Sequence, residues 1–216
     1  MIESLKAKGV KDMRMWLAAI REESRYLGIA AVVFITSTIA GFANGDAILE
    51  SMKQMGIMDQ LEQVMGSISK EPTFANAFSI IFLNNLLASL KMIAFGLLLG
   101  IIPFMAMLTN GMVLGVVLDA AAKSSGQHPL AIFVGKVLPH GVLELPAIIL
   151  AAAIGIRLGM AGWRRFLAML VPGRREGSIQ EWKGIRARLP RLILIIALLL
   201  AVAAVVESGL IVSGMQ

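Results

Sequence analysis

The 216-residue chain has no cysteine, a single tyrosine, two histidines and only 16% charged residues. Without thiols it can form neither a disulfide framework nor a thiolate metal site, and redox chemistry does not report its compartment. It also lacks a glycine-rich phosphate loop, a Ser-His-Asp set and a dinucleotide fingerprint, so no motif points to catalysis or to a cofactor. Hydrophobic residues make up 57% of the chain, too many for a soluble domain of this size to cover with polar surface.

The apolar residues come in long runs, at 26–43, 78–90, 93–118, 147–156 and 192–206. A helix needs about 20 apolar residues to cross a hydrocarbon core, and most of these runs approach that length with their flanks. The first run begins only after a charged stretch that includes Lys6, Lys8, Lys11, Arg14, Arg21 and Arg25. That is too much charge for a cleaved signal, so 26–44 is expected to be a retained span.

Charge is segregated along the chain. Residues 1–25 hold six Lys/Arg against four Asp/Glu, 45–73 hold two against five, and 157–191 hold nine against two. Since Lys and Arg are retained on the cytoplasmic side, both basic blocks are expected inside and the acidic segment outside. An even number of spans must separate the basic blocks. The 48 residues from 74 to 121 would make one helix roughly 72 Å long, more than twice the hydrocarbon thickness, so they must fold back, between 90 and 103.

The expected fold is therefore an all-α polytopic bundle of about five spans in the cell membrane, with a cytoplasmic N-terminus. Residues 1–25 read as a cytoplasmic amphipathic segment and 26–212 as one transmembrane domain. Within it, 45–73 reads as one or two amphipathic helices on the outer surface, and 160–190 as a basic inner interfacial segment. Attraction to the lipid bilayer explains the net charge of +6 better than nucleic-acid binding, which is not expected.

Several polar groups interrupt the oil: Asn84, Asn85, Asn110, Lys136, His140, Glu144 and Glu207. Ionisable groups inside spans are costly and mark function, whereas asparagines also serve as plain hydrogen-bond links between helices. His140 and Glu144 share a helix face at i, i+4, beside Pro139, Gly141 and Pro146, which predict a broken or re-entrant helix near 136–146. Irregular backbone at that depth survives only when shielded from lipid. His140 and Glu144 offer two metal ligands where a catalytic zinc needs three. His128 falls in the outer turn, and Glu207 or Asp119 would have to complete a site, so no metal is expected. Four glycine pairs at i, i+4 (Gly41/Gly45, Gly96/Gly100, Gly111/Gly115 and Gly155/Gly159) have the spacing of close helix packing and make a homodimer reasonable.

From "IFLNNLLASL" through "LTNGMVLG" to "LPHGVLELPAIILAAAIGIRLG", with the late Glu207, the chain resembles the stage II sporulation protein M family of integral membrane proteins across 74–212. The resemblance implies five spans and, in sporulating bacteria, a membrane anchor that joins cell-wall hydrolases at the septal membrane during engulfment. It also implies relatives in organisms that do not sporulate. Two functions are carried forward: a non-enzymatic scaffold that assembles cell-wall enzymes or other envelope proteins, and a channel or transporter with a polar site around Glu144.

Overall fold

The computed structural model describes residues 14–214, apart from the side chains of Leu61, His140 and Pro172. Among the described residues all regular structure is helical. A short helical stretch at 14–21 is followed by α1 (Ser24–Ala43), α2 (Gly45–Gln54), α3 (Ile57–Lys70), α4 (Phe74–Phe95) and α5 (Ile101–Ser125). Then come α6 (Pro129–Ile132), α7 (Leu138–Leu170) and α8 (Arg175–Val212). Five of these, α1, α4, α5, α7 and α8, are long and apolar enough to cross a membrane. Hydrocarbon offers no water to free N–H and C=O groups, so a chain this apolar satisfies its backbone inside helices. The fold-back of 74–121 falls at 96–100, inside the expected window, where Leu99 and Gly100 take positive φ of 57° and 73°.

Helix α7 is the hub and touches α1, α4, α5 and α8. Its small residues allow this: Ala147, Ala151, Ala152, Ala153 and Ala161 are fully enclosed, with Ile154 and Leu158 beside them. All four glycine pairs work inside the chain. Gly41, Gly111 and Gly115 bring α1 and α5, which run parallel, into backbone contact, and Gly45 meets the Asp119 side chain. Gly96 and Gly100 seat the α4–α5 turn on Gly155, Ile156 and Gly159 of α7. These glycines therefore offer no open face to a second copy, and a homodimer would need another surface.

The interruption expected near 136–146 takes the form of a π-helical turn, Phe133–Val137, in which Leu138 N–H reaches back to Phe133 O. Pro139 follows in the first turn of α7. Proline has no N–H to donate and its ring crowds the carbonyl four residues earlier, so a widened turn just upstream accommodates it. From there α7 is unbroken, with Pro146 inside it.

The basic stretch 160–190 forms the far halves of two long helices. With 33 and 38 residues, α7 and α8 measure roughly 50 and 57 Å, against a core about 30 Å thick. They turn at Pro172–Arg174 and project as an antiparallel hairpin. Across it Arg164 donates to Glu181 at 2.9 and 2.5 Å, and Trp182 Nε1 to Ala161 O at 3.3 Å. The N-terminal side of α1, the α4–α5 turn and this hairpin define a basic end of the bundle. The α1–α2, α3–α4 and α5–α6 turns define an acidic end.

Candidate functional site

Thr73 caps α4 by accepting from Asn76 N–H, and the helix then carries Asn84 and Asn85 to its middle. Consecutive helical residues point about 100° apart, so the two amides serve different neighbours. Asn85, half-buried, donates from Nδ2 to Glu144 Oε1 at 2.9 Å, joining α4 to α7. Glu144 sits less than two turns after the π-helical turn and lines a cavity of about 200 Å³ with Gly141, Val137, Phe34 of α1 and Asn110 of α5. Asn110 donates to Ala106 O within its own helix at 2.8 Å.

A second cavity, also about 200 Å³, is lined by Asn84, Gln60 of α3, and Thr109, Asn110 and Val113 of α5. The two cavities share Asn110 and Val113. The structure thus places Glu144 and Asn84 in two adjoining cavities that meet at Asn110, with Asn85 bonded to Glu144. Gln60 and Thr109 join Asn84 unforeseen; Gln60 belongs to a helix read as lying outside the bundle. Glu207 is elsewhere on α8, where nearby Ala204 and Ile211 pack with Ala77 and Ile81 of α4. His140 is helical in backbone, but its side chain lies outside the described residues. Lys136 and Pro146 are exposed. A carboxylate and an amide in one cavity, Glu144 with Asn110, can bind a proton, a water or a partner's polar side chain. Among the described residues no three His, Cys, Asp or Glu side chains gather as a metal would require.

A family model described as Stage II sporulation protein M matches residues 30–210. The chain belongs to that family. An uncharacterized protein of Methanocaldococcus jannaschii is 28% identical over 87 residues, 40% of this chain and 48% of that protein. The chain thus spans about half the length of the curated relative it matches. No solved structure matches it.

This stage II sporulation protein M family member carries a second polar cluster, at its basic end. Arg157 of α7 donates to Glu23 Oε1 at 2.7 Å and to Glu22 O at 2.8 Å. Arg188 of α8 lies 4.0 Å from the same Glu23 oxygen, and the Arg157 guanidinium lies 6.0 Å from the Tyr26 ring centre. Glu23 is only 2% exposed, and burial pushes its carboxyl above the usual range while the Arg157 hydrogen bond opposes that shift. The cluster ties the start of α1 to α7 and α8. In the sequence these charges read only as flanks of apolar runs, and nothing local pairs residues 134 positions apart.

Proposed function

We propose that this chain is a non-enzymatic scaffold of the cell membrane, with the basic end in the cytoplasm and the α2–α3 hairpin presented on the opposite side to envelope partners such as cell-wall enzymes. Family membership and the nine Lys/Arg of 157–191 support the reading. The observation that carries it is the hairpin: Met52 and Ile68 pack it against the bundle, yet Glu50, Lys53, Asp59, Glu62 and Gln63 are all exposed. A polar face left uncovered by its own chain suits recognition. Deleting residues 50–68 should abolish crosslinking to envelope proteins in cells while the five spans still fold and insert. Unchanged crosslinking refutes docking there.

A second reading is favoured by the two cavities that meet at Asn110: a polar path past Glu144 for a proton, ion or small solute, built beside an irregular helix as in secondary transporters. Proteoliposome flux that Glu144→Gln reduces would support this reading, and flux indifferent to that change would eliminate it.

A further inference from the structure

We propose that α2–α3 is a re-entrant hairpin that dips from the acidic end about halfway into the membrane, and that its charged face, turned away from α4 and α5, stays in contact with water admitted from that end. An amphipathic segment between spans would ordinarily lie flat at the interface. Here the register against the neighbouring helices says otherwise.

The hairpin starts level with the end of α5. A Cβ on Gly45 would strike the Asp119 carboxylate, and Asp46 reaches Lys123. By the start of α3 the chain is deeper, because Ile57 and Gln60 share a cavity with Thr109, Asn110 and Val113, between 6 and 10 positions before Asp119. At 1.5 Å per residue that is roughly 9–15 Å down α5, which the ten residues of α2 can cover.

Helix α3 then climbs back along α4. Gln60 is level with Asn84, Ser67 O accepts from Asn76 Nδ2 at 3.2 Å, and Ile68 packs with Ala77 and Ile81. Seven residues up α3 therefore match eight along α4, roughly 10–12 Å. The turn at Met55 and Gly56, with Gly56 at φ 69°, falls near the level of Asn84, the eleventh of 22 residues in α4. Its sequence, Met55-Gly56-Ile57-Met58, has no charge, as the deepest point should.

The two faces of the hairpin differ. Met52 and Ile68 are buried, whereas Glu50, Lys53, Asp59 and Glu62 are exposed. Charges held in the upper half of a bilayer and turned toward acyl chains carry a heavy desolvation cost, and long side chains reach the surface only from near it. Water reaching that face from the acidic end removes the cost. On its other side α3 turns Ile57, Gln60 and Val64 to the cavity at Asn84 and Asn110.

The absence of cysteine makes the test direct. Single cysteines at Glu50, Asp59 and Glu62 in the full chain, in liposomes, are treated with a charged, membrane-impermeant thiol reagent on whichever face labels Ser125→Cys. Val32→Cys, on an exposed apolar face of α1, is the lipid control. Separately, a fluorophore on Met55→Cys is quenched with lipids brominated at the headgroup level or mid-chain. The expected result is complete labelling at all three acidic positions, none at Val32, and quenching of the Met55 probe by the mid-chain lipids. Failure of Glu62→Cys to label would overturn the aqueous face, and headgroup-level quenching at Met55 would overturn the insertion. Neither readout needs a partner, so the outcome is independent of the docking proposal.

Discussion

The close contacts of α7 predict that one substitution, glycine to alanine, changes sign within a single helix. An interior helical glycine costs about 0.5–1 kcal/mol relative to alanine, so Gly→Ala is stabilising wherever the methyl has room. At Gly162 nothing lies within 4 Å of the added methyl. At Gly159 it would meet Gly100 N, Leu99 C and Gly96 O, and at Gly155 it would meet Met92 O and the Pro103 ring. Most of these neighbours are backbone and cannot swing aside, so α7 and the α4–α5 turn must separate. Overpacking of this kind costs about 1–3 kcal/mol, which outweighs the propensity gain. Both variants share the propensity gain, so Gly159→Ala and Gly162→Ala should differ by the overpacking cost, about 1–3 kcal/mol, or about 2–12 °C in Tm for a chain of this size. Thermal unfolding in one detergent, followed by near-UV circular dichroism of the three tryptophans, reads the difference. Equal melting temperatures for the two variants would refute the packing argument.

Arg157→Ala strands a buried Glu23 carboxylate and should cost about 3–5 kcal/mol, while Glu23→Gln keeps an acceptor for Arg157 and should cost less; detergent melts of both variants check the order. The Arg157→Ala deficit should shrink in acid. Burial already raises the Glu23 carboxyl above 4.5, and losing Arg157 removes an opposing influence, so the folded variant holds a proton that the unfolded chain releases. Its stability should be greatest below pH 4.5 and decline as pH rises through the folded value; melts across acidic to neutral pH measure this. Asp46→Ala, at an exposed pair with Lys123, should cost under about 1 kcal/mol, and its melting curve should nearly overlay that of the parent chain.

What the sequence disclosed and what it withheld follow from range. Run lengths and charge segregation made the spans legible, and i, i+4 spacing picked out glycines that do sit at close contacts. Asn85 and Glu144 were both visible as intruders in oil, but they are 59 residues apart and no local register joins them. Local spacing pairs Glu144 with His140 at i, i+4, and the His140 side chain lies outside the described residues. Pro139 announced a disturbance whose consequence, the π-helical turn, falls upstream of the proline itself. The insertion of α2–α3 was hidden for a different reason: amphipathic periodicity gives the faces of a helix, whereas depth comes only from which residues of α4 and α5 it meets.

The Asn85–Glu144 hydrogen bond joins α4 to α7 in the middle of the bundle. A double-mutant cycle on Asn85→Ala and Glu144→Ala, read as unfolding free energy in bicelles, tests it most directly. Hydrogen-bonded partners between spanning helices should couple by about 0.6–2 kcal/mol. Strictly additive losses would mean that the two side chains do not meet.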